Sequence, residues 1–138
     1  MTTQVGIVIV SHSKALAEAA VALTAEMVQG EMPPIEIAAG TEDGSLGTDA
    51  VAVHRAIERL ADAPGVIVLL DLGSAVMSAE TAYEMLDDNL ASRVVLSSAP
   101  LVEGLFGAVV RSSTGGNLAA VSAEADRGLL PKQTHLGS

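Results

Sequence analysis

The sequence predicts a three-layer α/β/α fold around a mostly parallel sheet of four strands in the order 2-1-3-4. Short runs rich in β-branched residues alternate with alanine-rich amphipathic segments, which is the pattern of strand–helix–strand units. Two of the runs, residues 5–10 and 66–70, are apolar apart from one glycine, as in strands buried on both faces. Right-handed crossovers leave few topologies, and a common doubly wound order places strand 1 beside strand 3.

A helix is predicted after strand 1, because apolar residues recur there at helical spacing. Ser13 is suited to cap its N-terminus, and Gly30 with the prolines that follow ends it. Residues 35–39 then predict strand 2. The stripe that we expect to face the core consists of Leu16, Ala20, Leu23 and Met27.

The second half of the chain repeats this alternation. Thr48 is a candidate cap for a second helix, and Gly73 with Ser74 opens a third helix after strand 3. Residues 94–97 predict strand 4, and two further helices follow it. The inward residues expected for the second, third and fourth helices are Val53, Ile57, Leu60, Val76, Ala79, Tyr83, Leu86, Leu101, Leu105 and Val109. Met27, Met77 and Met85 are expected to fill the core.

The chain of 138 residues fits a single domain, which we assign to residues 1–128. Residues 129–138 show no pattern, so we expect a loose C-terminal tail there. Hydrophobic residues make up 49% of the sequence and charged residues 17%, which excludes intrinsic disorder.

Composition also excludes several classes of function. Aromatic residues are 1% of the chain and the net charge is −10, so nucleic-acid binding is excluded. Cysteine is absent, and the three histidines lack metal-ligand spacing, so we expect neither a metal site nor a cofactor. The N-terminus has no basic residue before its first apolar run, and no run approaches the ~20 residues of a membrane span. We expect a cytoplasmic protein without membrane insertion.

The candidate site lies where strands 1 and 3 end. Strand 1 leads to His12 and strand 3 to Asp71, and neighbouring strands lie about 4.7–4.9 Å apart. A carboxylate that accepts a hydrogen bond from one imidazole nitrogen fixes the tautomer and leaves the other nitrogen free. That nitrogen is a nucleophile for a carbonyl or phosphoryl centre, or a base.

A phosphoryl group on His12 would lie near a helix N-terminus, where unpaired amides favour anions. The hydroxyls of Ser11, Ser13 and Ser74 and the backbone of Gly73 are candidates to bind it. From spacing alone an equally weighted alternative stays open. In that reading Ser13, Thr48 and Ser74 are only helix caps, and Asp71 is only a polar strand end.

Three classes of phosphate-handling site fit poorly. A P-loop would require a glycine-rich loop ending in Gly-Lys-Ser or Gly-Lys-Thr, which the chain lacks. A receiver domain would use Asp71 with a metal-binding acidic pair after strand 1, where Ser11, His12 and Ser13 stand instead. A histidine phosphatase would clamp phosphate with arginine, but the nearest cation is Lys14. A site without an arginine clamp would hold phosphate loosely, which suits a phosphoryl relay better than a hydrolase.

The other two histidines are not expected to act in the site. His54 is expected at a rim and His135 in the inert tail.

Five segments carry a resemblance to a known family. The chain resembles the IIA-type phosphotransferase subunit of the phosphoenolpyruvate-dependent dihydroxyacetone kinase, one of the mannose-family IIA domains of the bacterial sugar phosphotransferase system. The resemblance runs from residue 5 to about residue 125. The segments are IVSHS (residues 9–13), AAG (38–40), GTDAV (47–51), DLGSA (71–75) and SAPLVEG (98–104).

The resemblance implies that His12 accepts a phosphoryl group from phospho-HPr, with Asp71 as its hydrogen-bonding partner. Thr48, Gly73 and Ser74 would line the pocket. The acceptor would be ADP on a nucleotide-binding kinase subunit, and the resulting ATP would phosphorylate dihydroxyacetone held by a third subunit. The sugar branch would instead pass the group to a IIB domain. The resemblance also implies a homodimer and, since no further domain follows, separate carriers. A non-enzymatic or receiver-like interaction module stays as an alternative.

Overall fold

The computed structural model describes residues 3–137 and contains one four-stranded parallel sheet in the order β2-β1-β3-β4. The predicted fold class and strand order are therefore confirmed. The strands are β1 (Gly6–Ser11), β2 (Ile35–Ala39), β3 (Val66–Leu70) and β4 (Val94–Leu96).

Helices cover both faces of the sheet. Helices α2, α3 and α4 share one hydrophobic cluster with the sheet, and α1, α5 and α6 share the other. The helices are α1 (Lys14–Met27), α2 (Ala50–Arg59), α3 (Gly73–Glu84), α4 (Asp88–Ala91), α5 (Leu101–Ser113), α6 (Leu118–Asp126) and α7 (Leu130–Leu136).

The central strand β1 divides the core in two. Val8 and Val10 belong to the cluster beneath α2 and α3, whereas Ile7 and Ile9 belong to the cluster beneath α1 and α5. All four side chains are fully buried, and each such burial contributes about 1.5–3 kcal/mol to stability. Because successive side chains alternate between faces, one apolar strand supports both layers.

The register of β1 and β3 places the predicted site residues together. Val10 pairs with Leu70, and the Asp71 amide donates to the Val10 carbonyl at 3.1 Å. The two parallel strands therefore end at the same edge of the sheet, and His12 and Asp71 follow them there.

Only one of the two predicted caps after β1 and β2 is correct. The Ser13 hydroxyl accepts from the Leu16 amide at 3.2 Å and caps α1. The expectation for Thr48 is wrong, because α2 is capped by Asp49, which accepts from the Val51 amide at 2.9 Å. An ionised carboxylate is a good cap in its own right, and this leaves the Thr48 hydroxyl available to bond elsewhere.

The predicted inward face of α1 is correct at Ala20 and wrong at its three larger residues. Leu16, Leu23 and Met27 are 47%, 49% and 58% exposed, while Ala17 and Ala20 are buried. Small side chains let a helix approach the sheet closely, and the larger ones then point outward. Other residues expected inside are likewise exposed, namely Val76, Met77 and Met85.

The C-terminal segment differs from the loose tail that we expected, because residues 130–136 form α7. No residue of α7 is buried, so there was no amphipathic pattern to predict it. The helix contacts the body through Lys132, whose Nζ lies 2.6 Å from Glu103 Oε2. This ion pair lowers the pKa of the Glu103 carboxyl. Ser138 lies outside the described residues.

Candidate active site

His12 and Asp71 are joined by two hydrogen bonds at the carboxyl edge of the sheet. His12 Nδ1 lies 2.9 Å from Asp71 Oδ1, and the His12 amide donates to Asp71 Oδ2 at 2.9 Å. The His12 side chain is 28% exposed and that of Asp71 is 13% exposed. The imidazole is thus fixed on one edge and open to solvent in part.

Two further donors hold the Asp71 carboxylate. The buried Ser11 hydroxyl donates to Oδ2 at 2.9 Å, and the Leu72 amide donates to Oδ1 at 2.6 Å. Partial burial raises the pKa of Asp71, but the hydrogen bonds from the His12 and Leu72 amides, the His12 ring and Ser11 outweigh it and lower that pKa below its ordinary value. Asp71 is therefore ionised at neutral pH, and because a carboxylate only accepts, the tautomer of the imidazole that it selects carries its proton on Nδ1.

The other ring nitrogen, Nε2, faces the Ser74 hydroxyl, which donates to its lone pair. Ser74 stands in the first turn of α3, where the N-cap residue Leu72 provides no side-chain cap hydrogen bond. The first amides of α3 thus lack the partner that a capping side chain would give. Helix amides of this kind are suited to bind an anionic group carried on Nε2.

Gly73 can contribute its backbone amide to the site, but the space around it does not require a glycine. A Cβ built at Gly73 would meet nothing within 4 Å. Its place as the first residue of α3 exposes its amide beside Ser74.

The predicted residues Thr48 and Ser13 lie in the same cluster with different contacts. The Thr48 hydroxyl donates to the Ser74 carbonyl at 3.3 Å and lies 2.7 Å from Ser78 Oγ. The Ser13 amide donates to Ser11 Oγ at 3.1 Å, while its hydroxyl caps α1. Ser13 therefore contacts the site through Ser11, whereas Thr48 contacts Ser74 and Ser78 on α3.

Sequence reasoning missed Ser78 and Gly47. Ser78 follows Ser74 by four residues, a spacing that puts both on one face of a helix, and this was the available signal. The Gly47 amide donates to the His12 carbonyl at 3.0 Å. No side-chain pattern announces a contact of this kind, because it involves only backbone atoms.

Two cavities close to the site are not lined by His12. A polar cavity of about 590 Å³ beside β2 is lined by residues such as Lys14, Thr41 and Arg55, but not by His12. An apolar groove of about 560 Å³ between α1 and α5 reaches Asp71 and Leu72. A reactive nitrogen on the surface suits a phosphoryl group presented by another protein better than a small substrate that needs enclosure.

The surroundings of the other two histidines differ from those of His12. His54 is partly buried and its Nδ1 lies 3.4 Å from Glu58 Oε1, while His135 is exposed on α7. Within residues 3–137, no group of three or more His, Cys, Asp or Glu side chains is placed to hold a metal ion. None of the helices in that part of the chain combines the length and apolarity needed to cross a membrane.

Large apolar side chains are exposed around the site. Leu46 (77% exposed) precedes Gly47, Leu72 (70%) follows Asp71, and Met77 (68%) lies in α3 beyond Ser74. Exposed apolar side chains of this size near a reactive group are candidates for contact with another protein.

Comparisons with known proteins agree with this geometry. The model of the EIIA-man family, described as the PTS system fructose IIA component, matches residues 6–122. The phosphoryl donor subunit DhaM of the PEP-dependent dihydroxyacetone kinase from Providencia stuartii is 46% identical over 134 residues, which are 96% of this chain and 28% of that protein. The chain therefore spans less than a third of the length of that relative.

Shorter relatives match along most of their length. A DhaM subunit from Listeria innocua is 41% identical over 78% of this chain and 86% of its own. The phosphotransferase subunit DhaM of the PTS-dependent dihydroxyacetone kinase from Lactococcus lactis is 33% identical over 92% and 98%.

Solved structures share the fold. The unknown-function protein EF1359 superposes with a TM-score of 0.79 at 34% identity, over 90% of this chain and 94% of its own. A PTS IIA protein associated with the fucose utilization operon of Streptococcus pneumoniae gives a TM-score of 0.60 at 22% identity over 99% of each chain, which is a likeness of fold. The sequence match over residues 6–122 and the relatives covered almost end to end place this chain in the EIIA-man family of phosphotransferase system IIA components.

Proposed function

We propose that this chain is a phosphohistidine relay that serves a PEP-dependent dihydroxyacetone kinase in the cytoplasm. The observation that carries the proposal is the pairing of His12 Nδ1 with the Asp71 carboxylate, which leaves Nε2 as the nucleophile beside Ser74. The DhaM relatives, named as phosphoryl donor or phosphotransferase subunits, support the choice of this kinase.

The first transfer takes place at Nε2 of His12. Its lone pair attacks the phosphorus of the phosphohistidine on phospho-HPr, the Nε2–P bond forms, and the P–N bond of the donor breaks with its electron pair returning to the donor imidazole. Positive charge that develops on the ring of His12 is stabilised by the Asp71 carboxylate. The Ser74 hydroxyl turns from Nε2 to the phosphoryl oxygens, which also meet the first amides of α3.

The second transfer restores the enzyme. A terminal phosphate oxygen of ADP, held on the nucleotide-binding kinase subunit, attacks the phosphorus on His12, and the Nε2–P bond breaks. The ATP that forms then phosphorylates dihydroxyacetone on a third subunit. Donor and acceptor use the same face of His12, so they bind in turn, and the exposed apolar side chains Leu46, Leu72 and Met77 supply contacts for both.

The acceptor distinguishes the kinase branch from the sugar branch. In the test, the phosphorylated chain is mixed with dihydroxyacetone, the dihydroxyacetone-binding subunit and the ADP-loaded nucleotide-binding subunit. The amount of dihydroxyacetone phosphate is then measured over time. We expect dihydroxyacetone phosphate to form and the phosphohistidine to disappear. Discharge to a mannose-type IIB domain, with none to the kinase subunits, would instead assign the chain to sugar uptake.

We also propose that the chain forms a homodimer through the outer face of α1 and α5. Exposed apolar side chains from both helices line a groove of about 470 Å³, among them Leu23, Met27 and Phe106. Leu23 and Met27 lie 11 and 15 residues after His12, which is about 16 Å or more along the helix. A second copy seated there leaves His12 open. Sedimentation velocity is expected to show a dimer that Phe106→Asp dissociates, and a monomeric wild type would contradict this assignment.

A further inference from the structure

Two consecutive residues connect the two sides of the site. The Gly47 amide donates to the His12 carbonyl at 3.0 Å, and the Thr48 hydroxyl donates to the Ser74 carbonyl at 3.3 Å. The first contact holds the strand end that carries the nucleophile. The second holds the helix turn that carries the hydroxyl facing Nε2.

Ser78 completes this connection. Its Oγ lies 2.7 Å from Thr48 Oγ1. Either hydroxyl can be the donor of this bond. When the single hydrogen of Thr48 is directed to the Ser74 carbonyl, as the 3.3 Å contact requires, the donor is Ser78. Ser78 is partly buried on α3, one turn beyond the exposed Ser74.

The first turn of α3 depends on this contact more than most helix starts would. Leu72, its N-cap residue, makes no side-chain cap hydrogen bond, and an uncapped first turn frays readily. With Ser78 donating to it, the Thr48 hydroxyl is held in the rotamer that reaches the Ser74 carbonyl. Without that donor the hydroxyl is free to rotate, and the Ser74 turn loses a restraint.

We propose that Ser78 is a positioning residue for phosphoryl transfer at His12, acting through Thr48 on Ser74. This inference rests on the proposed function. The Ser74 hydroxyl must leave Nε2 and reach the phosphoryl oxygens during transfer, so its placement affects the rate of the chemical step. Ser78 is bonded to Thr48, whereas the hydroxyl that faces the His12 ring belongs to Ser74.

The test is single-turnover transfer from phospho-HPr to the Ser78→Ala variant. We expect the maximal rate to fall about fivefold, which corresponds to one ordinary hydrogen bond. The KM for phospho-HPr should not change, because Ser78 is partly buried and its hydroxyl is bonded to Thr48. Ser78→Thr keeps the hydroxyl and is expected to restore the rate. Ser113→Ala is the matched control, because Ser113 is also a partly buried helical serine, but its hydroxyl donates within its own helix, to the Val110 carbonyl at 2.9 Å.

A double-mutant cycle identifies the route of the effect. In a Ser74→Ala background the Ser78→Ala change is expected to have no further effect, because the hydroxyl that it positions is gone. An equal fivefold loss in both backgrounds, or a Ser78→Ala variant as fast as wild type, would overturn the inference and leave the relay itself standing. A wild-type chain that is never phosphorylated would overturn both.

Discussion

Asp71 contacts His12 through both of its carboxylate oxygens, one bonded to the ring nitrogen Nδ1 and the other to the amide of the same residue, each at 2.9 Å. The first bond sets the tautomer and the second fixes the strand end from which the side chain departs. The same carboxylate therefore orients both the imidazole and its backbone. The free nitrogen Nε2 is directed to Ser74 as a result.

Replacing Asp71 by asparagine should slow transfer while leaving His12 phosphorylatable. The asparagine amide can donate to Nδ1, which moves the imidazole proton to Nε2 and removes the nucleophilic lone pair from the reacting position. Loss of a charged hydrogen bond also weakens stabilisation of the developing imidazolium. We expect a fall of about 10- to 100-fold in the transfer rate, measured by rapid quench. A variant that reacts at the wild-type rate would show that Asp71 has no part in the reaction.

The pH dependence of stability should report the Asp71 carboxylate. Its pKa is lowered from 3.8 in the folded protein, so the unfolded chain binds the proton more tightly. The stability that Asp71 confers is therefore complete above the ordinary pKa and is lost as the pH falls through the lowered one. Urea midpoints of the wild type and Asp71→Asn are expected to differ at about pH 6, and the difference is expected to shrink progressively as the pH falls below about 4. A difference that stays constant down to about pH 2 would contradict this assignment.

Asp43, a second carboxylate with a lowered pKa, serves as the control for Asp71 in the transfer assay. The hydrogen bonds from Ser45 and Thr41 lower the pKa of Asp43 to about 2, but Asp43 is fully exposed in a loop. Because Asp43 accepts its hydrogen bonds from Thr41 and Ser45 of its own loop and not from His12, Asp43→Asn should leave the transfer rate unchanged. A loss of transfer in Asp43→Asn would show that the loop itself takes part.

The exposed methionine near the site should affect binding of the donor rather than the chemistry. Met77→Ala removes an apolar contact surface, so KM for phospho-HPr is expected to rise about fivefold at an unchanged maximal rate. Met85→Ala is the matched control, because Met85 is also exposed but lies at the other end of α3. Equal effects of the two variants would place the donor elsewhere. Neither variant should alter the free energy of unfolding by more than about 0.5 kcal/mol.

Alanine variants of the neighbouring residues Thr48 and Asp49 should differ in which property they change, the transfer rate or the free energy of unfolding. Asp49→Ala removes the cap of α2 and is expected to lower the free energy of unfolding by about 1 kcal/mol without slowing transfer. Thr48→Ala should cost less stability but slow transfer, since its hydroxyl contacts Ser74 and Ser78. Urea unfolding and rapid quench on both variants check this pair. A Thr48→Ala variant that loses stability and keeps its transfer rate would show that Thr48 acts only as a helix cap.

The sheet and the position of the site could be predicted because they depend on strong local signals. Uninterrupted β-branched runs identify buried parallel strands, and parallel strands must end at one edge, which brings His12 to Asp71. The faces of the helices could not be predicted in the same way. Hydropathy favours Leu16 and Leu23 over Ala17 as core residues, whereas the close approach of α1 to the sheet requires the smaller side chain. The contacts of Thr48 with α3 depend on tertiary placement across 26 and 30 residues.

The central claim is tested most directly by the intact mass of the protein after incubation with phosphoenolpyruvate, enzyme I and HPr. We predict one added phosphoryl group that is labile in acid, present in the His54→Gln control and absent from a folded His12→Ala variant. Circular dichroism verifies that the variant is folded, as expected for a side chain that lies outside both core clusters. No added mass on folded wild-type protein, or the same added mass on His12→Ala, would contradict the assignment of His12 as the phosphoryl carrier.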